Sequence, residues 1–154
     1  MTNETLNQRI KTLLLNDKKI DIKHLYTQLS SKKFKLNLNE NYQLELYSEA
    51  LKQSVSIDFN SSIFKNKIDP KKAKLPTIKA IEGRVTKTMN ILDGTAGLGS
   101  DCFSLASRGH TVTAIEQDLV IFLLLKDGIS RAELIFNLSK IAENLQLINT
   151  NVEE

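Results

Sequence analysis

The chain has 154 residues, 41% hydrophobic and 25% charged, with 21 Lys and Arg against 18 Asp and Glu. That length suits one domain, or a small domain with part of a larger one, and it can bury a sizeable core. The longest apolar run, Leu119 to Leu125, falls far short of the roughly 20 residues of a membrane span; the N-terminus lacks a signal-peptide pattern, and the single cysteine, Cys102, excludes an internal disulfide or a cysteine metal cluster. A cytoplasmic location, with no metal and no membrane partner, is the expectation.

Leu6, Ile10, Leu13 and Leu14 recur at helical spacing, as do Ile22, Leu25, Tyr26 and Leu29. They predict two short amphipathic helices near 3–15 and 21–30. The period then changes. Phe34, Leu36 and Leu38 alternate with polar residues, Asn39-Glu40-Asn41 signals a turn, and Tyr42, Leu44 and Leu46 alternate again before Val55, Ile57 and Phe59. Three strands in an antiparallel meander fit this pattern. Residues 1–64 are read as a small α+β module, with Tyr26, Tyr42 and Tyr47 packing it.

Residues 65–88 hold eight basic and two acidic residues, a net +6 between near-neutral and acidic flanks. Such an island suits either a solvated connector or a phosphate-binding surface. Lys65, Lys67, Lys71, Lys72 and Lys74 are the candidate RNA contacts. A short helix near 75–82 carries Pro76 in its first turn.

From residue 88 the texture becomes strand, glycine turn, helix, strand, helix, strand. Met89 to Leu92 is a short buried strand, and Asp101 to Arg108 a helix ended by Gly109. Thr111 to Glu116 is a second strand, and Asp118 caps the next helix, in which Gly128 is a weak point. Leu134, Leu138, Ile141 and Ala142 continue a helical face. Leu145 to Ile148 is a third strand. Alternation of strand and helix predicts a parallel α/β sheet over 89–154. His24 and His110 read as surface or turn residues, and Cys102 as buried packing.

The informative segment is Ile91-Leu92-Asp93-Gly94-Thr95-Ala96-Gly97-Leu98-Gly99-Ser100-Asp101. Glycine permits positive φ and close approach of a ligand to the backbone. Glu116 ends the next strand, where a carboxylate can accept hydrogen bonds from the two ribose hydroxyls of an adenosine cofactor. The dinucleotide fingerprint G-x-G-x-x-G fails at its third position, which is Cys102, and Asp93 and Asp101 flank the turn. Acids there suit the cationic sulfonium and ammonium of S-adenosylmethionine better than a pyrophosphate. Asp93, Gly97, Gly99, Asp101 and Glu116 are therefore candidate cofactor contacts.

The run Asp93 to Phe103 resembles the D-A-T-A-G-L-G-R-D-A-F signature of the RsmJ-type 16S rRNA guanine-N2 methyltransferases. Thr111 to Glu116, Leu123 to Ala132, and Leu145 to Ile148 are similar to that family's second strand, its L-L-x-D-G-L-A-R-A helix and its third strand. Leu44-Glu45-Leu46, Ile57-Asp58-Phe59 and Lys79-Ala80 resemble its L-E-L, V-D-F and K-A-V-G elements. The resemblance implies an incomplete Rossmann-like methyltransferase domain (the first three strands) preceded by the α+β module. It also implies S-adenosylmethionine as cofactor, and ribosomal RNA or the small ribosomal subunit as partner. By position it adds Ser100, Gln117, Asn151 and Val152 to the cofactor contacts. Ser100 and Gln117 stand where the family has arginines, Gly94 where it has alanine, and Asn151-Val152 where it has two serines. The family's D-P-M-F-P acceptor segment has no counterpart before Glu154, so a truncated or partial form is expected and the catalytic residues are unassigned. A half-sheet exposes a strand edge, which predicts self-association. The rival readings are a non-catalytic RNA-binding remnant and a fragment of a nicotinamide-dependent oxidoreductase.

Overall fold

A computed structural model describes residues 3–14, 21–68, 76–83 and 87–152. The chain forms two compact units, Met1–Ile57 and Asp58–Glu154. Among the described residues no helix is long and apolar enough to cross a membrane.

In the first unit, α1 (Asn3–Leu13) and α2 (Ile22–Ser31) precede three strands, β1 (Phe34–Leu38), β2 (Leu44–Ser48) and β3 (Gln53–Ser56). Asp21 caps α2, its Oδ1 accepting from the Lys23 and His24 amides at 2.9 and 3.3 Å. A capped start with an apolar stripe is what lets so short a helix form. Ile10 and Leu13 on α1, Leu14 just beyond it, and Leu25 and Leu29 on α2 are buried. The strands pair antiparallel in the order β1-β2-β3, with Leu36 opposite Leu46 and Leu46 opposite Val55. The expected meander is present, with two corrections. Tyr42 lies in the β1–β2 turn with φ +57°, 64% exposed, rather than in a strand or the module's core. Asn39 holds that turn, its Oδ1 accepting from the Asn41 and Gln43 amides at 2.9 and 3.0 Å. The third strand stops at Ser56, and Phe59 belongs to the other unit's core.

The second unit runs α3 (Ser62–Ile68), α4 (Pro76–Glu82), β4 (Asn90–Asp93), α5 (Ser100–Ala106), β5 (Thr111–Ile115), α6 (Leu119–Glu133), α7 (Phe136–Glu143) and β6 (Leu145–Ile148). Its strands are parallel in the order β4-β5-β6. α6 buries Phe122, Leu123, Leu124 and Leu125 in succession. Four consecutive buried residues cannot share one helical face, so this helix is enclosed on several sides. Each of these apolar side chains contributes roughly 1.5–3 kcal/mol on burial. Gly128 is buried inside a continuous α6 and does not interrupt it.

Three further corrections concern local structure. Residues 65–68, read as the start of the connector, complete a helix over 62–68, started by Ser61, whose Oγ accepts from the Phe64 amide at 3.4 Å. Leu134 sits in the break between α6 and α7, 86% exposed, and does not continue the buried face. His110 is buried rather than on the surface, its Nδ1 accepting from the Met89 amide at 3.2 Å. His24 is exposed on α2, as expected.

Candidate functional site

Parallel strands bring their C-terminal ends to one edge, the edge where ligands bind in open α/β sheets. Asp93 is the last residue of β4, Glu116 follows β5, and Asn149 to Val152 follow β6. The segment between Asp93 and α5 is a turn tied down at each step. Asp93 Oδ1 accepts from the Thr95 amide at 3.1 Å. The Ala96 amide donates to the Ile115 carbonyl at 2.9 Å, and the Gly99 amide to the Ala96 carbonyl at 2.9 Å. The Gly97 amide donates to Glu116 Oε2 at 2.9 Å.

Two glycines answer different demands. Gly97 has φ +52°, and a β-carbon there would meet only the Thr95 carbonyl at 3.9 Å, so its requirement is conformational. Gly99 has φ +79°, and a β-carbon there would overlap Leu125 and lie 3.1 Å from Phe59. Gly99 thus lets α5 sit close on α6 and on the ring of Phe59, which stacks on Phe103 at 3.8 Å between centroids.

Glu116 has a second task that the sequence does not reveal. Besides holding Gly97 through Oε2, it accepts from the Asp118 amide through Oε1 at 2.8 Å. Asn149 Nδ2 donates to the Glu116 carbonyl at 2.7 Å, fixing the end of β6 to the end of β5. A carboxylate oxygen has more than one acceptor direction, so both oxygens keep capacity for a ligand hydroxyl. The carboxylate is therefore oriented by the turn it stabilises.

Beside the turn lies a half-open cavity of about 420 Å³. Asp93, Thr95, Ser100 and Asp101 line its polar side, and Ile81, Ile91 and Leu92 its apolar side. Beneath it Cys102 is fully buried; burial, reinforced by the negative charge of Asp93, pushes its thiol up to about 12. A thiol held protonated is not a nucleophile.

The structure brings Asp93, Gly97, Gly99, Ser100 and Glu116 into one neighbourhood, with Asp101 exposed in the first turn of α5. Gln117 is exposed just beyond Glu116, and Asn151 is exposed at the end of β6. Val152 reaches the turn itself: a β-carbon on Gly94 would lie 3.3 Å from a Val152 methyl. Among the lysines, Lys65 is exposed on α3, while Lys67 Nζ donates to Ser100 Oγ at 2.8 Å. Lys71, Lys72 and Lys74 lie outside the described residues. The Glu116–Gly97 tie and the Gly94–Val152 and Lys67–Ser100 contacts join residues far apart in the chain, and nothing in the sequence marks them.

Comparisons with known proteins place the chain in a family. The family described as "Putative SAM-dependent methyltransferase" matches residues 18–154. A ribosomal RNA small subunit methyltransferase J from Francisella tularensis subsp. novicida is 42% identical over 138 residues, 90% of this chain and 56% of the relative. The protein of the same name from Francisella philomiragia subsp. philomiragia is 44% identical over 126 residues, 82% of this chain and 52% of the relative. The chain thus spans about half the length of the curated relatives it matches. A crystal structure of a SAM-dependent methyltransferase from Neisseria gonorrhoeae superposes with a TM-score of 0.63 at 28% identity, covering 96% of this chain and 56% of that one. The chain belongs to the SAM-dependent methyltransferase family.

Proposed function

We propose that this chain is the cofactor-holding part of an S-adenosylmethionine-dependent methyltransferase that modifies guanine N2 in small-subunit ribosomal RNA, acting in the cytoplasm on the RNA or the small ribosomal subunit. The observation that carries the reading is Glu116, whose carboxylate is locked against the Gly97 amide at 2.9 Å at the tip of β5. There it suits the paired hydroxyls of a ribose. The residues present fit such a cofactor. The cavity beside the turn joins the acids Asp93 and Asp101 to an apolar wall, a match for a ligand with cationic groups on an uncharged nucleoside. When bound, S-adenosylmethionine supplies an activated methyl on sulfur. The protein's own work is positioning: Glu116 orients the nucleoside, Gly97 and Gly99 give the turn its positive φ, and Asp93 and Asp101 favour positive charge.

The basic stretch supports the RNA side of the reading. Lys65 projects from α3, and with Lys71, Lys72 and Lys74 it would neutralise backbone phosphates, giving binding that weakens with salt. The names of the Francisella relatives favour small-subunit ribosomal RNA as the substrate. We also propose self-association through the outer edge of β4, where Leu92 is 64% exposed and no strand pairs among the described residues.

Calorimetric titration with S-adenosylhomocysteine tests the cofactor assignment. Micromolar binding is expected, weakened roughly tenfold or more by Glu116→Gln, which keeps the side chain's size but sets an NH2 donor against either the Gly97 or the Asp118 amide and removes the charge. Tighter binding of NAD than of S-adenosylhomocysteine, or the same affinity in the variant, would overturn it.

A further inference from the structure

The cation at the rim of the turn comes from outside the turn. The last turn of α3 carries Lys67, whose ammonium donates to Ser100 Oγ at 2.8 Å and lies 5.2 Å from the centroid of the Phe64 ring. That position is set by a relay of aromatic rings. Phe64 meets Phe59 edge-on at 4.8 Å, and Phe59 stacks on Phe103 of α5 at 3.8 Å with the rings 6° apart. Phe59 and Phe103 are almost fully buried, so α3 is anchored to the helix that opens at Ser100. Lys67 is half-buried, its stem covered and its head delivered to one hydroxyl.

Ser100 lines the same cavity as Asp93, Thr95 and Asp101. Lys67 is not among the residues that line it; its ammonium reaches the cavity's polar side through the Ser100 hydroxyl. An ammonium has three donors, and Ser100 takes one. If Lys67 served only as a freely moving phosphate contact, neither the ring beneath it nor the serine in front of it would be needed.

We propose that Lys67, together with the Ser100 hydroxyl, binds the carboxylate of the cofactor's amino-acid end, and that Lys67 is a cofactor residue rather than an RNA residue. The inference rests on the S-adenosylmethionine reading above. A zwitterionic amino-acid group needs acceptors for its ammonium and a donor cluster for its carboxylate. Asp93 and Asp101 offer the first, Lys67 and Ser100 the second. The pocket thereby selects nucleosides that carry a free α-amino-acid tail over those that do not.

Two ligands separate the parts. S-adenosylhomocysteine carries the amino-acid tail; 5′-methylthioadenosine has the same nucleoside and thioether without it. Titrated calorimetrically into the wild-type chain, the first should bind more tightly than the second. Lys67→Met should weaken S-adenosylhomocysteine roughly tenfold or more, leave 5′-methylthioadenosine unchanged, and keep the wild-type melting temperature. Lys67→Arg should restore most of the loss. An equal loss for both ligands would make the lysine merely structural and overturn the assignment. So would unchanged affinity for S-adenosylhomocysteine in Lys67→Met, with or without weakened RNA binding. A wild-type chain that binds neither ligand would overturn the cofactor reading itself, and this assignment with it.

Discussion

Gly94 and Val152 depart together from the residues that the resembling family carries at these places, alanine and serine, and the structure puts them in contact. A β-carbon on Gly94 would stand 3.3 and 3.6 Å from the two Val152 methyls. The smaller residue in the turn makes room for the larger one after β6. Gly94→Ala should therefore loosen the end of β6 and cost about 0.5–1 kcal/mol, and adding Val152→Ser should recover it; a double-mutant cycle by denaturant unfolding reads the coupling. Additive effects would break the link between the two positions. Gly99 is a harder case, because backbone and space both oppose a side chain there. Gly99→Ala should cost about 2 kcal/mol or more, from positive φ plus the overlap with Leu125. A melting curve within a degree of wild type would contradict the packing described. The candidate residues at the turn were legible in the sequence because glycines and acids cluster there within a few positions. Their partners were not, since Lys67 and Ser100 meet across 33 positions and Gly97 and Glu116 across 19.

At the level of elements, periodicity carried most of the reading. The alternation of Phe34, Leu36 and Leu38 becomes β1, the turn signal at Asn39 becomes the β1–β2 turn, and Asp118 caps α6 through the Val120 and Ile121 amides. α3 escaped because none of its residues is buried, so its apolar side chains print no clear stripe among the lysines. The sharp end of α6 escaped because Leu134 keeps the helical spacing while pointing to solvent. One structural pair also lay hidden. Asp127, fully buried on α6, accepts from Arg131 Nε at 2.9 Å, and Arg131 Nη1 lies 3.9 Å from Asp58 Oδ1. The arginine thus clamps α6 to the start of the second unit. Asp127→Ala removes the buried acceptor but leaves Arg131 18% exposed and 3.9 Å from Asp58, so it should cost about 1–3 kcal/mol, read from the denaturant midpoint. A loss under about 1 kcal/mol would show that the pair adds little.

Across the molecule, two compact units divide the sequence, Met1–Ile57 with its antiparallel meander and Asp58–Glu154 with its parallel sheet. The candidate site belongs to the second unit and is built from the ends of its three strands. The outer edge of β4 carries the exposed Leu92, and an apolar edge that no strand pairs among the described residues invites another strand. Sedimentation velocity should show concentration-dependent self-association that Leu92→Lys abolishes, since a charge on an edge strand opposes pairing. Wild type and variant that are both monomeric at high concentration would remove this surface from the account.

On the proposed reading, the turn between β4 and α5 seats a cationic adenosine cofactor and not a dinucleotide. Thermal unfolding of the intact chain with each ligand in turn tests it most directly. S-adenosylhomocysteine at about 100 times its dissociation constant should stabilise the fold by about 2.7 kcal/mol, several degrees in melting temperature, while NAD at the same concentration should leave the curve in place. A shift produced by NAD and not by S-adenosylhomocysteine would contradict the account at its root.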